Sequence, residues 1–321
     1  MRKLVFCTQK LDPGDPVLAA TVPMVRALAA RVDELVVLCD SAAIELDGVR
    51  VHQFGAATQA QRGAKFVAAL ARELRCDGVV AHMVPLYAVL AAPFVRPLGI
   101  PLVLWYTHWK AHAVVRAAER VCTAVASVDE RSFPLRSRKV HALGHGIDLG
   151  EFACTDAPDS PLRALVLGRY SPAKGLETIL RAAAQAGVHV EAHGSDETFE
   201  SYRRELQRAF PAADLGGPVP RAEVPALFAQ SHVLVNNMRA GAPDKVVYEA
   251  AASCLPVLAS NPVFDDLLPP ELRFDRDDVD GLAEQLRTLD PRRRPELREL
   301  VARRHSVEHW ADGLLATVTA R

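Results

Sequence analysis

Two basic side chains stand where an apolar stretch gives way to a turn and a helix. The segment LVLGRYSPAKGLETIL, residues 165–180, predicts a strand that ends at Gly168 and a helix that follows a proline-containing turn. Arg169 and Lys174 flank this turn. Parallel sheets bind ligands at the carboxyl ends of their strands, and two cations there suit a diphosphate. On local chemistry alone, a diphosphate site and two solvated surface charges are equally good interpretations.

A second segment, residues 236–260, leads from a glycine-containing turn into a helix. The turn reads Gly241, Ala242, Pro243 and Asp244, and the free backbone N–H groups at the start of a helix form an anion site. Glu249 lies about a turn and a half into the helix, where a carboxylate can accept hydrogen bonds from both hydroxyls of a ribose. Taken singly, Glu249 is also typical of an exposed helix glutamate, and Asp244 of an N-cap.

Other catalytic signatures are absent from the sequence. No GxGxxG or Walker-type loop opens a βα unit, which removes the main support for a dehydrogenase or an ATPase, and there is no GxSxG serine elbow. His108 and His112 stand four residues apart, but no acid and no third ligand are spaced for zinc. We therefore predict no metal site.

The elements that must position these residues follow an α/β pattern. Short apolar stretches rich in β-branched residues alternate with Ala/Leu/Arg-rich stretches of helical period, which predicts parallel strands joined by crossover helices. Two such arrays follow one another, and the segment 144–161 between them is rich in Gly, Asp and Pro. We therefore expect two domains, over residues 1–150 and 151–304.

Composition and charge narrow the class of protein. The 321 residues are 50% hydrophobic and 24% charged, as in a packed globular protein, and 38 Lys and Arg face 39 Asp and Glu, so no overall basic field attracts nucleic acid. The six scattered cysteines form no CxxC pair and indicate reduced thiols of a cytoplasmic protein. Residues 78–95 carry no charge, but four prolines in and after this run favour strand, turn and helix over a transmembrane segment.

The ordered motifs of the second half resemble a known family. GHGID, GRY with KGLETIL, HGS, GGPVPRAEV, LVNN and DKVVYEAAASCLPVLAS together resemble the retaining, nucleotide-sugar-dependent glycosyltransferases of family 4. The resemblance covers most of the chain and is densest from residue 144 to residue 260. It implies the GT-B fold, in which two facing Rossmann-like domains with parallel sheets enclose a cleft. HSVEHW resembles the helix that crosses back, so we expect the helix 305–321 on the first domain.

The resemblance also implies roles for particular residues. Arg169 and Lys174 would bind the diphosphate, Glu249 would hold the ribose, and His108 would lie near the transferred sugar. Further donor-binding positions that it implies are Gly14, Gly194, Ser195, Val219, Pro220, Gly241, Ala242, Pro243, Asp244 and Lys245. From local sequence alone, His108 also fits a hydrogen-bonded core histidine and Gly14 a proline-flanked turn.

One position departs from the family pattern. Members commonly carry a glutamate eight residues before the one that matches Glu249, and this chain has Gly241 there. The donor-sugar contact of that carboxylate is therefore missing, which leaves open an altered sugar preference or a loss of catalysis. A non-catalytic nucleotide-sugar-binding or regulatory subunit is thus an alternative, as is another GT-B enzyme such as a nucleotide-sugar epimerase.

The resemblance implies transfer of a sugar from a nucleoside-diphosphate sugar, with UDP or GDP as the nucleotide, to an acceptor hydroxyl with retention of anomeric configuration. No further cofactor is expected. The acceptor is a glycan, a lipid-linked molecule or a small molecule, and residues 82–87 and 105–113 are expected to contact it. A lipid-linked acceptor would bring this cytoplasmic protein to the inner face of the membrane, where basic residues between 116 and 138 would suit peripheral contact.

Overall fold

The computed structural model describes residues 1–15, 18–241 and 243–320. Ala242, one of the predicted donor-binding positions, lies outside them. The architecture is α/β with two parallel sheets, which confirms the predicted fold class. Contacts divide the chain into two compact units, one formed by Met1–Gly146 with Arg304–Arg321 and the other by Ile147–Arg303.

The first unit contains a seven-stranded parallel sheet in the order β3-β2-β1-β4-β5-β6-β7. Its strands are β1 (Lys3–Leu11), β2 (Glu34–Ala42), β3 (Val49–Gln53), β4 (Gly78–His82), β5 (Leu102–Trp105), β6 (Ala124–Ser127) and β7 (Val140–Ala142). The helices that connect them are α1 (Thr21–Ala29), α2 (Gln59–Ala71), α3 (Pro85–Val95) and α4 (Ala113–Val121). Their positions follow the predicted alternation of short strands and crossover helices.

The second unit contains a five-stranded parallel sheet in the order β10-β9-β8-β11-β12. Its strands are β8 (Arg163–Leu167), β9 (His189–His193), β10 (Asp214–Gly216), β11 (Val233–Asn236) and β12 (Val257–Ala259). The helices that follow in chain order are α5 (Leu176–Ala186), α6 (Glu200–Ala209), α7 (Val224–Gln230), α8 (Lys245–Ala252), α9 (Val279–Thr288), α10 (Pro295–His305) and α11 (Val307–Thr319). The three-residue β10 was not predicted, because DLG carries no apolar run.

Both faces of the first sheet are covered at its inner strands β1, β2, β4, β5 and β6, which explains why these strands read as apolar runs. On one face, Val5 and Cys7 of β1 share a buried cluster with Phe66 of α2. On the other face, Phe6 meets Trp310 of α11 edge to face, with ring centroids 6.5 Å apart. The C-terminal helix therefore packs on the sheet of the first unit.

The uncharged run 78–95 forms β4, a short turn and α3, as predicted. Pro85 stands in the first turn of α3, where a helix has no partner for the missing N–H. Among residues 1–15, 18–241 and 243–320, no helix combines the length and the apolar character that a bilayer crossing requires.

The expectation that all six cysteines are reduced is wrong at two positions. Cys154 and Cys254 form a disulfide, with Cα atoms 5.2 Å apart. The two residues are 100 positions apart in the chain, so no local spacing pattern indicates the pair. Cys7, Cys39 and Cys122 are buried free thiols, and Cys76 is half-buried and free.

Candidate active site

The carboxyl ends of β8 and β9 lie side by side at one edge of the second sheet. The N–H of Gly168 donates to the carbonyl of His193, and the N–H of Tyr170 donates to the carbonyl of Ser195, each at 2.9 Å. A Cβ on Gly194 would collide with the carbonyl of Gly168, so only glycine permits this approach. The backbone of Arg169 therefore runs directly beside the predicted pair Gly194 and Ser195.

Lys174 reaches from the turn after β8 to the start of α8. Its Nζ donates a hydrogen bond of 2.5 Å to Oδ2 of Asp244, which also accepts one of 2.8 Å from Nδ2 of Asn236 at the end of β11. Asp244 occupies the N-cap position of α8, but its side chain makes no capping bond. It instead joins the diphosphate-binding candidate Lys174 to the next strand end along the sheet.

Arg169 presents an exposed side chain at the same edge. Its guanidinium forms no ion pair or hydrogen bond with any residue in the part of the chain that the structure describes. Lys174, by contrast, is held by a carboxylate before any ligand arrives. Of the two predicted phosphate-binding cations, Lys174 is thus already paired with a carboxylate, whereas Arg169 is not paired within the described residues.

Glu249 is buried in α8, unlike the exposed helix glutamate that its local sequence allows. Its side chain is 9% exposed, and its Oε1 accepts a hydrogen bond of 2.6 Å from Nη1 of Arg221. Arg221 directly follows the predicted pair Val219 and Pro220 and begins a single 3-10 turn. The predicted donor-binding residues Val219 and Pro220 are therefore linked through Arg221 to the predicted ribose-binding carboxylate of Glu249.

Lys245 is the first residue of α8 and lies one turn before Glu249. Burial lowers the pKa of the Lys245 ammonium to about 8, although the carboxylate of Glu249 favours the charged form. A bound diphosphate would place further negative charge near the start of α8 and would favour the protonated lysine.

Gly241 stands where the family that the sequence resembles commonly has a glutamate. Its φ is 130°, a backbone conformation that residues with a side chain rarely adopt. A glutamate at this position would strain the turn before α8. Pro243 is buried in the same turn.

The two site candidates of the first unit lie at the carboxyl edge of its own sheet. His108 follows β5, and Gly14 follows β1, which is separated from β5 only by β4. His108 is half-buried, and its Nδ1 accepts a hydrogen bond of 2.9 Å from the N–H of Lys110. Gly14 is exposed and donates its N–H to Oδ1 of Asp12 at 2.8 Å.

The regions predicted to contact the acceptor are partly core. Trp105 and Tyr106 are buried at 2% and 7% exposure, whereas Trp109 is 41% exposed. His82 is also buried and shares a hydrogen bond of 3.1 Å with Thr8. Although Trp109 is exposed, its ring stacks on His108 with centroids 5.7 Å apart and has Nζ of Lys110 4.5 Å from its centroid.

Three residues of the candidate site were not predicted from the sequence. Asn236 ends a predicted strand and bonds Asp244, while Arg221 and Glu151 form a chain of ion pairs to Glu249. Asn236 stands at a strand end in the motif LVNN, and Arg221 is next to Val219 and Pro220. Glu151 carried no signal, because its contact with Arg221 joins residues distant in sequence.

Comparisons with known proteins give one family match and matches to solved structures. Residues 171–316 match the family described as "Glycosyl transferase-like". A comparison with curated protein sequences gives no match.

Solved structures resemble the whole chain. Sucrose-phosphate synthase from Thermosynechococcus elongatus matches with a TM-score of 0.78 and 17% identity, over 98% of this chain and 97% of that one. HepE of Anabaena, solved in complex with UDP, matches with a TM-score of 0.79 and 16% identity, over 99% and 100%. A UDP-GlcNAc 2-epimerase from Methanocaldococcus jannaschii matches with a TM-score of 0.60 and 11% identity, over 100% of both chains.

These structural matches establish the fold. The chemistry must be argued from the residues of this chain. The two parallel sheets are those of the GT-B fold, and the family match covers the segment that carries Lys174, Asp244, Arg221 and Glu249. Fold and family match together support a GT-B glycosyltransferase.

Proposed function

We propose that the chain transfers a sugar from a nucleoside-diphosphate sugar to an acceptor hydroxyl, with retention of configuration at the anomeric carbon. The observation that carries the proposal is the convergence of Arg169, Lys174 and the start of α8 on one edge of the second sheet. Glu249 lies further along the same helix, tied by Arg221 to Val219 and Pro220. The cations proposed to bind the diphosphate thus lie near the start of α8, and the carboxylate proposed to bind the ribose lies further along the same helix.

Each part of the donor has a partner in this arrangement. Arg169, Lys174 and the first N–H groups of α8 bind the diphosphate, Glu249 accepts the ribose hydroxyls, and Val219 and Pro220 lie beside the base. UDP is supported by the fold match to HepE, which was solved with UDP, and GDP is the second nucleotide to test. Residues 151–304 form the donor side in this proposal. We assign the binding of the acceptor to residues 1–150 with the helix 305–321, and we keep donor-binding roles for His108 and Gly14.

The chemistry follows from where charge develops. As the bond from sugar to diphosphate breaks, the sugar gains oxocarbenium character and negative charge grows on the departing diphosphate. Arg169, Lys174 and the helix-start amides stabilise that charge, and the departing phosphate receives the acceptor proton. The reaction needs no separate cofactor under this mechanism.

A thermal-shift screen tests donor binding directly. We expect UDP or GDP to raise the melting temperature by about 5 °C at 100 times the dissociation constant, because a ligand of the folded state stabilises it, while ADP and dTDP produce smaller shifts. NMR of the product formed with the matching sugar donor should show the donor's anomeric configuration. An inverted product contradicts retention, and the absence of any nucleotide effect contradicts the donor site.

Gly241 also supports a second candidate function, in which the protein is a non-catalytic subunit that binds the nucleotide sugar. A glutamate could adopt the backbone conformation of Gly241 only with strain. The donor-sugar contact must therefore come from backbone groups or from Asp244. Binding of a donor without turnover across a broad acceptor panel would favour this second function. Formation of an epimeric sugar nucleotide in the absence of acceptor would favour an epimerase.

We also propose peripheral contact with the inner face of the membrane, through helices α3 and α4 of the first unit. These helices pack together and carry exposed apolar side chains, Phe94 and Val114, beside exposed Arg96 and Arg116. Leu98, just after α3, is 60% exposed. Apolar side chains with a basic rim suit an anionic lipid surface.

Sedimentation with lipid vesicles tests this surface. We expect the chain to pellet with vesicles that contain phosphatidylglycerol, to remain in solution with pure phosphatidylcholine, and to be released by salt. The double variant Phe94→Ser with Leu98→Ser should stay in solution in both cases. Equal sedimentation of the wild type with both vesicle types would contradict the proposed contact.

A further inference from the structure

We infer that Arg221 is a positioning residue for Glu249, which it orients so that the site prefers ribonucleotides over 2′-deoxyribonucleotides. The inference deepens the proposed function and rests on it. It starts from the hydrogen bond of 2.6 Å between Nη1 of Arg221 and Oε1 of Glu249, whose side chains are 18% and 9% exposed. A charge-assisted bond with so little solvent around it holds a carboxylate in one orientation.

The two oxygens of Glu249 differ in their environment. Oε1 is occupied by Arg221, whereas Oε2 has no hydrogen-bond partner among the residues that the structure describes. A carboxylate oxygen has two lone pairs and can accept from both vicinal hydroxyls of a ribose. Arg221 therefore leaves one defined acceptor for the sugar of the nucleotide.

Arg221 is itself held from outside α8. Its Nη2 donates a hydrogen bond of 2.5 Å to Oε2 of Glu151, and its guanidinium carbon lies 5.4 Å from the ring centroid of Phe152. Glu151 and Phe152 are neighbours in the chain, so one short segment fixes both the edge and the face of the guanidinium. The planar guanidinium bonds the two carboxylates through separate nitrogens while its face lies on the Phe152 ring, an arrangement that the single nitrogen of an ammonium does not reproduce.

The charges of this cluster favour a fixed arrangement. Burial lowers the pKa of the Arg221 guanidinium, but the charges and hydrogen bonds of Glu249 and Glu151 more than offset it, so its pKa is raised. Without Arg221, the buried carboxylate of Glu249 would still have Lys245 as a neighbouring cation. Loss of the guanidinium therefore frees Glu249 to turn toward Lys245.

The opposite role makes a different prediction. If Arg221 blocked Glu249 and had to leave before a ribose could bind, its removal would tighten nucleotide binding. Orientation and blocking therefore change affinity in opposite directions, which makes a substitution at this position decisive.

Calorimetry with paired nucleotides provides the test. Dissociation constants of UDP and 2′-deoxy-UDP, and of GDP and 2′-deoxy-GDP, are measured for the wild type and for Arg221→Gln, Arg221→Lys and Glu151→Gln. Arg273→Gln is the matched control, because Arg273 is also partly buried and pairs with a carboxylate, Asp265, outside the site. Melting temperatures of all variants report whether the fold is kept.

We expect the wild type to prefer the ribonucleotide by about tenfold, as the loss of one hydrogen bond to a charged group implies. Arg221→Gln should lose this preference, and its affinity for the 2′-deoxy form should fall less than its affinity for the ribonucleotide, because the 2′-deoxy form has only the 3′-hydroxyl contact with Glu249 to lose. Arg221→Lys and Glu151→Gln should keep part of the preference, and Arg273→Gln all of it.

Three results would overturn the inference. Arg221→Gln with the full ribose preference, or with tighter binding of UDP or GDP, would show that Arg221 does not orient Glu249. An equal loss of affinity for both members of a pair would indicate a general structural role. A wild type that binds nucleotide without any ribose preference would remove the ribose contact of Glu249 itself, and with it this part of the proposed function.

Discussion

Lys174→Ala and Arg169→Ala should each lower turnover by about 100- to 1,000-fold, the usual cost of removing one preorganised donor to a developing negative charge. Lys174 is expected to act through its ammonium, which in the unliganded protein is held 2.5 Å from Oδ2 of Asp244. A diphosphate brings more negative charge than one aspartate, so it draws the ammonium away from this partner. The measurement is the turnover number at saturating donor and acceptor.

The two cations should differ in their effect on binding. Arg169 is exposed and has no ion pair within the residues described, so its guanidinium can bind the diphosphate without breaking an ion pair. Lys174 must exchange one partner for another. We therefore expect Arg169→Ala to weaken nucleoside-diphosphate binding more than Lys174→Ala does.

Arg181→Ala is the matched control for both variants. Arg181 lies on α5 in the same unit, with a 60% exposed side chain paired to Glu177, and its loss should leave turnover unchanged. Near-normal turnover of both Arg169→Ala and Lys174→Ala would contradict the charge-stabilisation mechanism. An equal decrease in Arg181→Ala would show that the loss of any cation on this unit has the same effect.

Glu249→Ala should weaken nucleoside-diphosphate binding by about 10- to 100-fold, because two hydrogen bonds from ribose hydroxyls to a charged acceptor are lost. The glutamate is buried and already oriented, so little ordering is required when the ligand binds. Calorimetric titration with UDP and GDP measures the change.

Two further variants separate the ribose contact from a general effect on the fold. Glu249→Gln keeps one acceptor oxygen and should lose less affinity than Glu249→Ala. Glu284→Ala removes an exposed glutamate of α9 that pairs with Arg287, and it should bind as the wild type does. Unchanged affinity in Glu249→Ala would exclude the proposed ribose contact.

Local signals in the sequence were sufficient for the architecture. Strands buried on both faces must be continuous apolar runs, and this is why segments such as KLVFCT and RALVLGRY identified β1 and β8. Arg169, Lys174 and Glu249 were found because each lies next to a strand end or a helix start, where parallel sheets bind ligands. Lys174 and the N-terminal end of Glu249's helix do meet at one sheet edge.

What the sequence could not reveal are contacts between distant segments and unusual backbone angles. The pairing of Cys154 with Cys254 and the chain from Glu151 through Arg221 to Glu249 join segments that only tertiary packing brings together. The φ of Gly241 is likewise not visible in the sequence, although it is a backbone conformation that favours glycine over glutamate at this position. Burial of Glu249 depends on how α8 packs, which the local pattern did not determine.

A crystal structure of the protein with the nucleoside diphosphate that gives the largest thermal shift tests the central claim most directly. We expect the diphosphate within hydrogen-bonding distance of Nζ of Lys174 and the guanidinium of Arg169, with both ribose hydroxyls on Oε2 of Glu249. A nucleotide bound elsewhere, with Lys174 still paired to Asp244 and Oε2 of Glu249 without a ribose, would contradict it.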